Sequence, residues 1–335
     1  MSVKLPRQVR NIADRALVQK LETGLEKVEA RLLAATATTD PLANLTANHL
    51  LAAGGKRIRP ALVLLAAQLG DPTLPEVIDA AAVVELTHLA TLYHDDVMDD
   101  APTRRGVATA HEIWGNSVAI LTGDLLFAKA SQIVSRMGEA ALGLQADTFE
   151  RLCLGQLHET TGPQAGEDAI VHYIQVLADK TGSLLATSAE LGVIHSRADE
   201  KWRLPIREFG EKIGVAFQLI DDVIDLYPPA ANSGKTAGTD LRAKVATMPV
   251  LLLRKQAETD SAAAALLAEI DGDLSSDETL ALVVEKLRNH EVTELANQAA
   301  RQWAAEAVAA VSVLPDGSIK NAFANFAEAV VERER

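Results

Sequence analysis

The chain has 335 residues, 48% of them apolar and 23% charged, with a formal net charge of −14. That balance excludes an intrinsically disordered chain, and the acidity argues against nucleic acid as the main partner. A single cysteine, Cys153, excludes an internal disulfide and suits a reducing compartment; it reads as a small buried hydrophobe.

In chain order, Lys4, Arg7 and Arg10 make a basic start without the apolar stretch of a signal peptide. A period near 3.6 predicts helices over Val18–Leu33, Val77–Met98, Val118–Met137, Val171–Val193, Arg207–Leu226 and Leu295–Val311. Thr36 to Pro41 reads as a loop, since three threonines weaken helix and Asp40-Pro41 favours a turn. Asp71-Pro72 and Pro228-Pro229 break the chain after apolar segments. Ser275 to Glu278 reads as a capping box opening a helix that runs to about Leu287. Tyr227 to Thr239, with two prolines and two glycines, reads as a mobile lid. No strand or two-residue hairpin signal stands out. The apolar runs Ala61–Leu69 and Val118–Ala128 fall short of the roughly 18 residues of a membrane span. Scarce aromatics, at 4%, suit close-packed helices. The expectation is an all-α, single-domain helical bundle over residues 1–335 around a deep central cavity, in a cytoplasmic protein.

Two aspartate clusters carry the chemistry: His94-Asp95-Asp96-Val97-Met98-Asp99-Asp100 and Asp221-Asp222-Val223-Ile224-Asp225. Each contains DDxxD, and residues four apart share a helix face, so Asp95 aligns with Asp99 and Asp221 with Asp225. Carboxylates gathered on apolar helices repel one another and lose hydration; a bound cation removes both costs. An all-oxygen donor set favours magnesium over zinc. Basic residues accompany the acids: Lys56, Arg57 and Arg59 after two glycines, Arg104-Arg105-Gly106, Lys180-Thr181-Gly182 and Gly234-Lys235-Thr236. Arginine forks match phosphate oxygens. Cations beside metal-binding carboxylates point to a diphosphate. Gly234-Lys235-Thr236 is not a nucleotide-binding P-loop, because GxxxxGK[ST] is absent and no strand precedes it.

The segments GGKRIRP (54–60), ELTHLATLYHDDVMDD (85–100), RRG (104–106), GD (123–124), KTGSL (180–184), FQLIDDVIDL (217–226) and GKTAGTDL (234–241) occur in that order. Together they resemble the trans-prenyl diphosphate synthases of the long-chain type. The resemblance implies a class I isoprenoid synthase fold, a homodimer, and magnesium-dependent condensation of isopentenyl diphosphate with an allylic diphosphate. By resemblance, Asp95 and Asp99 hold two magnesium ions and Asp221 a third, with Asp96 and Asp225 supporting or water-mediated and Asp225 counted among the metal residues. Arg104, Lys180, Gln218 and Lys235 would hold the allylic diphosphate, with Thr181 facing the developing cation. Lys56, Arg59, His88 and Arg105 would hold isopentenyl diphosphate. The departed diphosphate serves as base in this family, so no protein base is required.

One departure stands out. The family often carries a lysine five residues after the aspartate that is Asp240 here; that place is Val245, and Lys244 either substitutes or is a surface lysine. Ala90 and Thr91, five and four residues before Asp95, leave open the way that short-chain members block with a bulky aromatic. The first motif also lacks the insertion seen in bacterial short-chain members. Both imply a long product of about C30 to C50, one helical turn of about 5.4 Å per isoprene unit, such as a quinone side-chain precursor. Phe127 and Phe149 are candidates for the cavity floor. The rivals are a short-chain geranylgeranyl or farnesyl diphosphate synthase, a terpene cyclase and a non-catalytic partner subunit.

Overall fold

The computed structural model describes residues 14–227 and 237–332. Asp14 opens α1 (Arg15–Thr36), its carboxylate accepting from the Leu17 amide at 2.9 Å. Leu17, Leu21, Leu25, Val28 and Leu32 recur every three or four residues and are buried. The expected break follows, and Asp40 caps α2 (Pro41–Ala52), whose first turn takes Pro41 without losing a hydrogen bond. Then come α3 (Ile58–Ala66), α4 (Pro75–Met98), α5 (Ala110–Trp114), α6 (Asn116–Val134), α7 (Glu139–Thr161) and α8 (Ala169–Leu177). The chain continues through α9 (Ser183–His195), α10 (Arg203–Ile224), α11 (Thr239–Arg242), α12 (Met248–Ala257), α13 (Ser261–Asp271), α14 (Asp277–Arg288), α15 (Glu291–Ala310) and α16 (Ser318–Val331).

Five sequence expectations need correction. Thr103–Arg104 (β1) and Val107–Ala108 (β2) form an antiparallel two-residue hairpin. Its turn is Arg105-Gly106, both with positive φ (53° and 78°), as a type I′ turn demands. The helix expected over Val171–Val193 is interrupted by a π-helical turn, Ala178–Gly182. The cap of α14 is Ser276 rather than Ser275, accepting from the Thr279 amide, which moves Glu278 out of the reciprocal position. Cys153 is exposed on α7 rather than buried. By length and composition α6 could cross a membrane, although Asp124 and Lys129 interrupt its apolar character and it packs along α4. The Pro228-Pro229 break, Lys235, most of the expected lid and the basic N-terminal residues lie outside the described residues.

The described residues divide into two compact units. One holds the chain up to Glu150 with Leu184–Gly210 and Ala310–Phe326. In it α4 packs against α6, α3 and α1, enclosing Leu21, Leu25, Leu62, Leu86 and Leu89. Phe209 and Phe323 meet edge to face with ring centres 4.9 Å apart. The other holds Arg151–Ser183, Glu211–Ala309 and the chain from Ala327. Its apolar core has two parts, one around Leu253, Leu280 and Leu287, the other around Val215, Leu219 and Ala300.

Candidate active site

Each aspartate cluster ends a helix. Asp95 and Asp96 occupy the last turn of α4 and Asp99 follows it, its amide donating to the Asp95 carbonyl at 2.8 Å. Asp221 and Asp222 occupy the last turn of α10 and Asp225 follows, with the same bond to the Asp221 carbonyl at 2.9 Å. Neither last turn contains a basic residue. A helix C-terminus carries partial negative charge, so acids there are disfavoured and cations favoured. Asp95 and Asp99 at one end, and Asp221 at the other, each offer all-carboxylate donors of the kind that fits magnesium.

The middle aspartates are not equivalent to their neighbours. Asp96 is buried and accepts from Arg104 Nε at 2.6 Å; burial raises its pKa despite that pairing. Asp222 is buried too, its Oδ2 accepting from the Tyr173 hydroxyl at 2.8 Å and the Met248 amide at 3.1 Å. Burial pushes its pKa up to about 8. Both act as internal ties. Asp225 turns its carboxylate to the start of α11, accepting from Thr239 Oγ1 at 2.6 Å and the Asp240 amide at 3.1 Å. That geometry ties the end of α10 to the start of α11.

In the unit that carries Asp95 and Asp99, α4 also supplies Glu85 and His88. At 100° per residue, Glu85, His88, Asp95 and Asp99 fall within about 80° of arc. Glu85 is buried and pairs with Arg57 Nη1 at 2.8 Å, with Arg105 Nη2 at 4.0 Å. Arg57 adopts a left-handed conformation (φ 50°) that sends its side chain inward to Glu85 and Glu29. Although burial opposes its charge, the two glutamates hold the guanidinium above its ordinary pKa. Arg57 is thus a scaffold cation, while Lys56 beside it is exposed. Arg59 Nε is buried with no hydrogen-bond partner among the described residues. Burial brings its pKa down to about 10, with Arg105 acting in the same direction and Glu85 and Asp95 opposing. Arg105 donates to the Leu50 carbonyl at 3.0 Å and to the Gly54 carbonyl, which anchors the hairpin turn to the GGKRIRP segment. Burial, then Arg59, Arg105, Arg104 and Arg57, hold His88 well below the ordinary imidazole range, so it is neutral at neutral pH. The structure therefore gathers Arg59, His88, Arg104 and Arg105 into one electrostatic group.

In the other unit, the π-helical turn carries Lys180 and Thr181, both half-buried, and Lys180 pairs with Glu159. Asp179 in the same turn is buried and held by Arg151 Nε at 2.7 Å and Gln175 Nε2 at 2.8 Å. Arg151 also pairs with Glu211 at 3.1 Å. Gly155 of α7 lies against the turn; a Cβ there would stand 2.8 Å from the Lys180 amide nitrogen. Gln218, half-buried, precedes Asp221 by three residues on α10. Lys244 is accounted for differently: its Nζ donates to the Ile270 carbonyl at 2.8 Å and to the Gly272 carbonyl. It thereby closes the C-terminus of α13.

Sequence reasoning missed the Arg57–Glu29–Glu85 group, the hairpin and the π-helical turn. Glu85 stood inside a matched segment, but only burial distinguishes a scaffold carboxylate from a ligand. Of the expected length-setting residues, Thr91 is half-buried, one turn before Asp95, and bonds its own helix through the His88 carbonyl at 2.8 Å. Ala90 is fully buried. Tyr93 points elsewhere, its hydroxyl donating to the Thr46 carbonyl at 2.5 Å. Phe127 and Phe149 pair with ring centres 4.4 Å apart, and His94 lies 5.8 Å from Phe127.

Comparisons with known proteins bear on this arrangement. A polyprenyl synthetase family model matches residues 40–300. The nonaprenyl diphosphate synthase of Mycobacterium tuberculosis is 37% identical over 324 residues, 96% of each chain. The crystal structure of a decaprenyl diphosphate synthase from Rhodobacter capsulatus superposes with a TM-score of 0.85 at 32% identity, covering 96% of this chain and 99% of that one. A geranylgeranyl pyrophosphate synthase from Corynebacterium glutamicum, complexed with calcium and isoprenyl diphosphate, gives a TM-score of 0.85 at 39% identity, covering 96% and 98%. With its helical architecture and ordered acidic and basic motifs, this chain belongs to the polyprenyl synthetase family and is a trans-prenyltransferase.

Proposed function

We propose that the chain is a chain-elongating enzyme that condenses isopentenyl diphosphate with an allylic diphosphate into a long all-trans polyprenyl diphosphate, about C30 to C50, destined for a quinone side chain. The observation that carries this reading is the set of cationic and neutral donors, Arg59, His88, Arg104 and Arg105, beside the α4 face of Asp95 and Asp99. Relatives named for long products support the chain length.

Magnesium, when bound, would supply positive charge at the leaving diphosphate. Asp95, Asp99 and Asp221 would hold it, three ions in all, with Asp225 in support. Arg104, Lys180, Gln218 and Lys235 grip the allylic diphosphate, Lys180 exchanging Glu159 for a phosphate oxygen. Thr181 faces the allylic carbon as charge develops. Lys56, Arg59, His88 and Arg105 orient isopentenyl diphosphate so that its alkene meets that carbon. Neutral His88 donates a hydrogen bond without adding charge to an already cationic group. Water exclusion keeps the cation from being quenched, a task assigned to the segment after Tyr227. Residues 1–335 form a single synthase domain that works as a cytoplasmic homodimer without stable membrane insertion or a nucleic-acid partner.

The test is incubation of pure protein with magnesium, labelled isopentenyl diphosphate and several allylic primers, followed by sizing of the products. Products of six or more isoprene units are expected, and chelation of the metal should abolish them. The geranylgeranyl pyrophosphate synthase likeness favours a short-chain second reading; accumulation of products no longer than C20 would establish it instead.

A further inference from the structure

A second group of metal-ligand types stands apart from the magnesium clusters. Asp100, His111 and Glu112 bring one ligand atom each within 4.8 Å of one another. His111 Nε2 lies 3.6 Å from Glu112 Oε1 and 3.8 Å from Asp100 Oδ1. The His111 side chain is only 5% exposed, yet neither ring nitrogen has a hydrogen-bond partner among the described residues. A buried imidazole without hydrogen-bond partners carries a desolvation cost that no hydrogen bond offsets. The two carboxylates are exposed and can close on it at little cost.

We infer that Asp100, His111 and Glu112 form a binding site for a zinc-class divalent cation, distinct from the magnesium ligands Asp95, Asp99 and Asp221. The donor chemistry separates the two. Magnesium takes all-oxygen sets, whereas one imidazole with two carboxylates suits zinc, three protein ligands leaving a fourth position for water. Zinc bonds of about 2.0–2.2 Å place tetrahedral ligand atoms roughly 3.3–3.6 Å apart. The Glu112 separation from Nε2, 3.6 Å, falls at the upper edge of that range, and the Asp100 separation, 3.8 Å, lies just beyond it. Backbone geometry favours the convergence. Asp100 takes a left-handed conformation (φ 49°) directly after Asp99, the residue that caps α4, and His111 and Glu112 adjoin in α5. An ion here would fasten α5 to the end of α4 that carries Asp99.

The experiment uses the full chain, stripped of metal by a chelator and then supplied with excess magnesium to occupy the all-oxygen clusters. Zinc is titrated by calorimetry, and cobalt, as a spectroscopic substitute, by its visible absorption. A single zinc equivalent and a cobalt spectrum of low-coordinate nitrogen and oxygen ligation are expected. His111→Ala, and separately the double variant Asp100→Asn with Glu112→Gln, should each weaken zinc by at least about tenfold, the least loss that disturbing a metal's surroundings typically causes. The double variant changes only exposed side chains, so it decides the matter if His111→Ala fails to fold. Absence of zinc binding in the unaltered protein, or an unchanged affinity in the double variant, would overturn the assignment. Because prenyl transfer is not the readout, failure here is separable from failure of the proposed function.

Discussion

At the scale of single residues, neighbouring charges divide between binding and scaffolding according to burial. Asp95 and Asp99 stand at the negative end of α4 while buried Asp96 is consumed by Arg104. Replacing Asp99 by Asn should lower kcat by about 10²–10³, the order expected when one preorganised electrostatic contact is lost. It should leave thermal stability unchanged or raised, because one acid leaves an unfavourable helix end. Steady-state kinetics and a melting curve check both halves. Lys56 and Arg57 divide in the same way. Arg57→Ala would leave Glu85, which is 2% exposed, with the longer Arg105 contact at 4.0 Å in place of its 2.8 Å partner; removing one partner of a buried ion pair costs about 3–5 kcal/mol, readable by denaturant unfolding. Lys56→Ala should instead raise KM for isopentenyl diphosphate with little change in stability.

At the scale of elements, the irregularities hold the chemistry. The hairpin turn supplies Arg105, and its Gly106 at φ 78° meets a demand most side chains resist. Periodicity was blind to it because two-residue strands are too short to show an alternation. The π-helical turn escaped for a related reason: one extra residue in a helix scarcely alters an apolar pattern, and π turns occur mostly as such single bulges, frequently at functional sites. Its shape depends on Gly155 of α7, against which the Lys180 amide packs. Gly155→Ala should therefore displace Lys180 and Thr181, raising KM for the allylic diphosphate more than for isopentenyl diphosphate. Separate titration of the two substrates measures this. The long helices α1, α4, α6, α10 and α15, by contrast, were legible, since α1, α6, α10 and α15 each bury a recurrent apolar face and α4 is a long apolar run buried nearly all round.

At the scale of the whole molecule, product length is the property still open to direct test. Ala90→Phe should shorten the product distribution, as sizing of labelled products would show. The side chain at 90 is fully enclosed, so overpacking of about 1–3 kcal/mol accompanies the change. Thr91→Phe, at a half-buried position on the Asp95 side of the helix, should shorten products with less loss of stability. Unchanged product length in both variants would reject growth of the chain along α4.

Sequence alone established the helical class, the family resemblance and the two carboxylate clusters, because each rests on local spacing: 3.6-residue periodicity and acids four apart. Tertiary structure decided which charged residues are spent internally. Asp96 binds Arg104, Asp222 binds Tyr173, Arg57 is enclosed by two glutamates and Lys244 closes α13. Those outcomes depend on which groups lose their water, and desolvation follows from contacts between residues distant along the chain, which spacing does not encode.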